Sequence, residues 1–516
     1  MTTSNPKFPN IIIFVPDEMR GDLVDNPYLS MPHLDQLRQD GFTFRQNYTV
    51  NPVCSPSRCC TFTGQYPQNG GHRSLYQILQ PHEENLFRLL KQQGYHVQYI
   101  GRNDLFTHEA EANSVSQRQG SFQAILQQRI AQILVDLPVE KKEQAITFMA
   151  KNDNPLAIMR HPEFGALFKN MMASPWPEDH RHRKTFYYGQ RETDAAKIDP
   201  DRYYIDLALQ FLDDAPPEPF CLYIGLNFPH PPYTVEEPYF SMYDRDAVPA
   251  PIVTDYGDKP HFMTQMHHRY GLDQLSEADF REIVATYYGM VYRVDEQWGQ
   301  VMDKLKQKNL YDDSAIFYFS DHGDYAGDYG LTEKWPTGFQ DSLTRVPLVV
   351  KTPHRAQTGQ SFDALTQTID IFPTVLELAN IDTPYTHFGQ SLLPLINGER
   401  TEHREAVFSV GGYNPREPQC FEDIMAGTIY FEKGQIAADD PTTVARATMI
   451  RTTEWKLIVR SAGKEELYDL QNDPQECHNL IDIPAYGDIQ TQLRNQLLRW
   501  YLDTSDNPHW ERMRAM

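Results

Sequence analysis

The sequence predicts an α/β fold, a mostly parallel sheet sandwiched by helices, with a smaller C-terminal α+β domain. Three observations predict it. Over the first four-fifths of the chain, short apolar runs alternate with amphipathic stretches, the order in which parallel strands and their helical crossovers follow one another. Three polar clusters stand directly after strand-like runs, where open α/β sheets gather their ligands. After Gly398-Glu399-Arg400 the texture changes to short runs typical of a small antiparallel sheet.

Taken in order, Ile11–Val15 is an unbroken apolar run and the first strand. The helix His33–Asp40 is stopped by Gly41, and Leu86–Gln93 by Gly94, glycine being the residue that best fits a helix C-terminus. Val97–Ile100 is the next strand. Phe106–Pro200 then breaks the alternation with a polar, helix-leaning segment containing EKKEQ, HRHRK and GQRETD, read as an insertion over one sheet edge. The helix Tyr203–Leu212 and the strand Phe220–Leu226 resume the pattern. From Glu277 to Lys308, Phe280, Val284, Tyr287, Val291, Val294, Trp298, Val301 and Leu305 alternate steps of four and three, which keeps one stripe on one face. A helix lying on the sheet is expected there; a coiled coil would need a second such stripe to meet it. Ala315–Ser320 and Pro347–Val350 are further strands. Beyond residue 400, Ala406–Val410, Ala447–Arg451 and Lys456–Val459 read as antiparallel strands, and Ile489–Leu502 as a final helix. The expected division is therefore residues 1–400, carrying the insertion at about 106–200, and residues 401–516.

The 516 residues carry a formal net charge of −23, which excludes a general basic face for nucleic acid or anionic lipid. No run approaches the roughly 18 apolar residues of a membrane helix. Residues 1–10 contain no apolar signal core, so a cytoplasmic location is expected. Six cysteines in a chain this long, with no CxxC pair, are not a disulfide framework. The tail Asp503–Met516, with Trp510 and Met513, offers a surface for a neighbouring subunit in a homo-oligomer.

The strand-end clusters are Asp17-Glu18-Met19-Arg20, Asn227-Phe228-Pro229-His230 and Asp321-His322-Gly323-Asp324. Each alone fits a turn or a helix cap; together they offer carboxylates and imidazoles for a hard or borderline divalent cation. In Asn51-Pro52-Val53-Cys54-Ser55-Pro56-Ser57-Arg58, Ser55 is an N-cap candidate and Pro56 suits a first helical turn. Cys54 is then expected just outside a helix N-terminus, where backbone N–H groups favour an anion, and Arg58 projects toward the same point. A buried structural cysteine before a capped helix fits the same local pattern. A thiol hydrolase pairing Cys54 with His230 is a further alternative, and it leaves Asp321 and His322 without a task.

Cys54-Ser55-Pro56-Ser57-Arg58 resembles the C-x-P-S-R signature of the sulfatases, in which a maturation enzyme oxidises the cysteine to formylglycine. Other segments resemble the family in the same order: Met31-Pro32-His33-Leu34-Asp35, Thr63-Gly64-Gln65-Tyr66-Pro67, Asp321-His322-Gly323, Arg345-Val346-Pro347-Leu348, Asp370-Ile371-Phe372-Pro373-Thr374 and Glu466-Leu467-Tyr468-Asp469-Leu470. The resemblance covers nearly the whole chain. It implies an alkaline-phosphatase-like domain, with Asp17, Cys54, Asp321 and His322 facing one divalent metal, Ca²⁺ first and Mn²⁺ as the alternative that His322 leaves open. Glu18 stands where members differ, and is an additional candidate ligand.

The implied reaction is hydrolysis of a sulfate monoester on a small molecule or saccharide. Formylglycine at 54 is hydrated to a diol, one hydroxyl attacks sulfur, and the sulfated diol collapses to expel sulfate and restore the aldehyde. Arg58 and Arg102 are implied to neutralise sulfuryl charge, and His230 and Lys334 to serve the leaving oxygen. Asp104, like Glu18 an additional site candidate, stands where many members carry a histidine, and an acid beside the leaving group would suit a polar or cationic substrate. A phosphonate monoester or phosphodiester hydrolase on the same scaffold is the alternative activity. Pocket specificity is expected from the insertion and from loops such as Tyr233–His268.

Overall fold

The computed structural model describes residues 8–120, 173–192, 199–353, 358–414, 416–422 and 426–505, with a few helical residues between 140 and 147. In chain order the strands are β1 (Asn10–Asp17), β2 (Phe42–Tyr48), β3 (His96–Gly101), β4 (Gln117–Gln119), β5 (Tyr187–Gln190), β6 (Phe220–Pro229) and β7 (Tyr233–Val235). They continue with β8 (Ser314–Phe319), β9 (Leu348–Lys351), β10 (Gln360–Gln367), β11 (Val407–Gly411), β12 (Ala447–Arg451), β13 (Trp455–Arg460) and β14 (Glu466–Asp469). The main sheet has the order β10-β2-β9-β8-β1-β6-β3-β4, and β11 to β14 form a separate antiparallel sheet. Within the main sheet, β9 alone among the described strands runs against its neighbours. The reason is local: the chain from 320 to 347 stays at the end of the sheet where β8 finishes, then returns as β9 without crossing a face.

Period-two alternation separates the two faces of the sheet. Ile12 and Phe14 of β1 join one buried cluster, and Ile11, Ile13 and Val15 the other. The helix Glu277–Gln307 covers the first face, as its stripe predicts: Trp298 meets Phe14 edge-on at 5.3 Å and Tyr318 at 6.0 Å. The helix Cys54–Thr63 covers the second, with Phe62 edge-on to Tyr223 at 5.8 Å and to Phe319 at 6.2 Å. Both predicted glycine stops follow helices, Pro32–Asp40 and Leu86–Gln92.

β2, β10 and the short β4, β5, β7 and β14 are additional to the sequence-predicted strands. Of the insertion at 106–200, the described parts include β4, which pairs with β3 at the sheet edge, and β5, which pairs with β7. Most of that segment, and the tail beyond 505, lie outside the described residues. All six cysteines are free, and among the described residues no helix is long and apolar enough to cross a membrane.

A buried carboxylate joins the two sheets. Asp370, just before the helix Ile371–Leu378, accepts from Arg404 Nε at 3.0 Å, His403 Nε2 at 3.1 Å, Gln367 N at 2.9 Å and Gln390 N at 2.8 Å. Burial alone would raise its pKa, but Arg404 and His403 hold it well below the usual carboxylate range. Its contribution to stability is therefore present above the unfolded value of about 3.9 and is lost as pH falls through the depressed native one. Asp370→Asn is expected to cost about 3–5 kcal/mol at neutral pH, because it leaves the Arg404 charge buried and unpaired. Urea unfolding checks this, and an unchanged midpoint contradicts it.

Candidate active site

Four adjacent parallel strands, β8, β1, β6 and β3, end side by side, and the residue that follows or closes each is polar. β1 ends in Asp17; Asp321 and His322 follow β8, His230 follows β6, and Arg102 follows β3. Cys54 comes to the same point from the second face, as the first residue of its helix. Here the structure corrects the expected cap. Val53, extended at φ −132°, is the N-cap rather than Ser55, and no side chain caps the first turn. Asn51 causes the shift: its Oδ1 accepts from Val53 N at 2.9 Å, and its Nδ2 donates to Val410 O at 2.7 Å.

One atom each from Asp17, Cys54, Asp321 and His322 lies within 4.8 Å of the other three, and all four residues are buried. His322 Nδ1 faces Gly323 O at 2.9 Å, which leaves Nε2 turned to Cys54 Sγ at 3.1 Å. Burial lowers the His322 pKa to about 4, so the imidazole is neutral at pH 7 and has a lone pair to give. Burial would raise Asp321, yet Arg58 and His322 hold it well below the usual carboxylate range. Asp17 goes the other way: burial pushes it up to about 7 despite Arg102. Two buried carboxylates beside a neutral imidazole fit a divalent cation, whose charge would relieve both the burial penalty and the repulsion between them.

Arg58 differs from its sequence-based role. Its Nε donates to Asp321 at 2.8 Å, Nη2 to Asp17 at 3.1 Å and Nη1 to the Tyr223 hydroxyl at 2.9 Å, with the side chain 1% exposed. It fixes the two carboxylates from behind rather than projecting into the cleft. Arg102 takes the open position: it pairs with Asp17 through Nη1, with Asp104 through Nε, and donates to Cys54 Sγ from Nη2 at 3.8 Å. Asp104 thus orients Arg102.

Beside this cluster, Lys334 Nζ donates to Glu18 at 2.7 Å and to His230 Nε2 at 2.9 Å. His230 Nδ1 faces Pro231 O, and burial together with Lys334 keeps its pKa well below the ordinary value. Of this pair the lysine therefore carries the proton and His230 Nε2 is its acceptor. Glu18 has φ +68°, a left-handed conformation held by Glu18 N donating to Asp321 at 3.2 Å and by the Tyr287 hydroxyl donating to Glu18 O at 2.7 Å. Its carboxylate faces Lys334 and His230, and joins Asp17 and His230 in a second acidic group. Both ring nitrogens of His230 are engaged away from Cys54, so the pairing required for a thiol hydrolase is not formed.

Sequence reasoning missed Tyr223, Glu333, Tyr233 and Lys433. Tyr223 reads as an ordinary strand residue. Lys433 stands 100 residues from its partner Glu333, with no motif to connect them.

Acids, an arginine and a helix-terminal cysteine are thus gathered at the ends of a mostly parallel sheet. A family model described as sulfatase matches residues 9–381, and the chain belongs to the sulfatase family. A second, described as N-sulphoglucosamine sulphohydrolase, C-terminal, matches residues 429–502. The chain is 26% identical to a multifunctional alkaline phosphatase superfamily protein of Trinickia caryophylli, over 96% of each chain. It is 23% identical to an arylsulfatase of Clostridium perfringens, over 95% of this chain and 94% of the other. Among solved structures, the phosphonate monoester hydrolase of Agrobacterium radiobacter superposes with a TM-score of 0.72 at 21% identity, covering 97% of each chain. The protein is a sulfuric ester hydrolase.

Proposed function

We propose that the protein hydrolyses sulfate monoesters, using a formylglycine made from Cys54 and one divalent cation held by Asp17, Asp321, His322 and the converted residue 54. The observation that supports this reading most is the buried four-residue cluster at the strand ends, with Arg58 bridging its two carboxylates. When bound, these groups supply a nucleophilic oxygen of lowered pKa and positive charge for the sulfuryl oxygens.

The chain's own residues do the rest. Arg102, with its side chain 22% exposed, reaches the cleft and neutralises charge on the sulfuryl oxygens, while Asp104 limits its rotamers. Arg58 holds Asp17 and Asp321 at a fixed separation. Lys334 carries a proton on Nζ, shares it with His230 Nε2 and delivers it to the leaving oxygen through that pair. Glu18 anchors Lys334 and is not assigned as a ligand. The assignment of residues 1–400 to the catalytic domain and 401–516 to the C-terminal domain belongs to the same proposal, as does conversion by a formylglycine-generating maturation enzyme.

Ca²⁺ is the first expectation for the cation, and Mn²⁺ the alternative favoured by the imidazole. Protein stripped with a chelator is expected to lose turnover of 4-nitrophenyl sulfate, and one of these ions to restore it. Full activity in protein free of metal by elemental analysis contradicts the assignment. Phosphonate monoester or phosphodiester hydrolysis is the second reading, supported by the likeness to a phosphonate monoester hydrolase over 97% of the chain. Ratios of kcat/KM on 4-nitrophenyl sulfate and phenyl phosphonate esters separate the two, a ratio above one favouring the sulfatase.

A further inference from the structure

Behind Lys334 lies a row of buried charges that the reaction above does not use. Glu333 is fully buried and has φ +64°, a left-handed conformation that a glutamate adopts only where its surroundings hold it. Its carboxylate lies between two ammonium groups. Oε1 is 2.9 Å from Lys334 Nζ, and the two oxygens accept from Lys433 Nζ at 3.2 and 3.1 Å. Oε2 also accepts from Lys334 N at 2.8 Å. Glu333 N donates to the Tyr233 hydroxyl at 2.9 Å, and that hydroxyl donates to Asp324 at 2.5 Å. Tyr233 stands three residues after His230, so the backbones carrying the two proton-handling side chains are tied at one phenol.

Lys433 comes from the helix Phe431–Asp439, in the part of the chain after residue 400. That helix is itself held, since Lys184 donates to the neighbouring Glu432 at 2.5 Å. Desolvating such a row is costly, and an apolar replacement of the same volume is often no less stable, so the charges are better explained by position than by stability. Lys334 Nζ meets three acceptors, Glu18 and His230 at the cleft and Glu333 behind it, one for each N–H of the ammonium, so its position is set by the balance among them. An unbalanced Glu333 would draw the ammonium back from the cleft. Lys433, held by both Glu333 oxygens, offsets part of that pull.

We propose that Glu333 and Lys433 are positioning residues for leaving-group departure, Lys433 balancing Glu333 so that the Lys334 ammonium stays on His230 and Glu18 at the cleft. The inference rests on the reading of Lys334 as the group that serves the leaving oxygen.

The test is kcat/KM of the full-length, matured protein on a series of aryl sulfates from 4-nitrophenyl to 4-methoxyphenyl. A misplaced proton donor matters most where the leaving oxygen is most basic. Lys433→Met is expected to lose about a hundredfold on 4-methoxyphenyl sulfate and only about threefold on 4-nitrophenyl sulfate, the loss falling on kcat rather than KM. Lys433→Arg is expected to recover most of it. Glu333→Gln leaves the Lys433 and Lys334 ammonium groups facing each other with no anion between them, which displaces Lys334; it is therefore expected to steepen the same dependence, and serves if Lys433→Met does not fold. Lys334→Ala separates the two levels of the argument. A steep dependence in Lys334→Ala with a flat one in Lys433→Met and Glu333→Gln overturns the positioning role alone. A flat dependence in Lys334→Ala overturns the leaving-group reading itself, and the positioning role with it.

Discussion

Cys54→Ala is expected to lower kcat on 4-nitrophenyl sulfate by about 10⁴-fold or more, because alanine has no thiol on Cβ to be oxidised and so no route to the aldehyde whose hydrate is the nucleophile. Stability should change by only about 1 kcal/mol, since the substitution deletes one small buried atom and breaks no ion pair. The contacts of Sγ with charged groups are long, 3.7 Å to Asp17 and 3.8 Å to Arg102, and the closer neighbour at 3.1 Å is the neutral His322 Nε2. Burial and the neighbouring Asp17 also push the Cys54 thiol well above its ordinary pKa. That environment disfavours a thiolate nucleophile in the unconverted residue. A Cys54→Ala protein retaining a tenth or more of wild-type kcat, roughly a loss of only 1.4 kcal/mol, would remove the residue from the chemistry.

The second large effect is at Arg58, and here the conservative change is as informative as truncation. The three guanidinium nitrogens address three different groups, Asp321, Asp17 and Tyr223, in one plane. A lysine has one ammonium and cannot span them. Arg58→Lys is expected to lower kcat by about 10²-fold, since a small displacement of either carboxylate misplaces everything the cluster holds. Arg58→Met is expected to cost about 3–5 kcal/mol as well, because two buried carboxylates lose their shared cation. Denaturant unfolding beside steady-state kinetics checks both. An Arg58→Lys protein with wild-type kcat would show that the charge, and not the fork geometry, is what the site requires.

The strands at the centre of the sheet were legible because they are buried on both faces, and so read as unbroken apolar runs such as Ile11–Val15. β2 and β10 were not. Phe42–Tyr48 places Arg45, Gln46 and Asn47 in mid-strand, and Gln360–Gln367 carries Asp363 at the sheet edge. Their pairing comes from neighbours distant in sequence rather than from their own pattern. The site was legible where its residues follow strands directly, as Asp17, His230 and Asp321 do. Side-chain direction was not legible. Arg58 was expected to face the cleft and instead braces the carboxylates from behind, while Asp104, expected beside the leaving group, orients Arg102. Nor could the role of Glu18 be read from the chain, because it depends on a left-handed backbone that turns the carboxylate to Lys334. Lys433 carries no local signal at all: only the folded structure brings a residue of the later segment to within 3.2 Å of Glu333.

The central claim is that residue 54 reacts as an oxidised cysteine beside a bound cation. It is tested most directly by peptide mass spectrometry of the Cys54 fragment, from protein produced with a formylglycine-generating enzyme, measured against turnover of 4-nitrophenyl sulfate in the same samples. The expected result is a mass loss matching conversion of cysteine to formylglycine, with activity rising in proportion to the converted fraction. Unmodified Cys54 in fully active protein would contradict it.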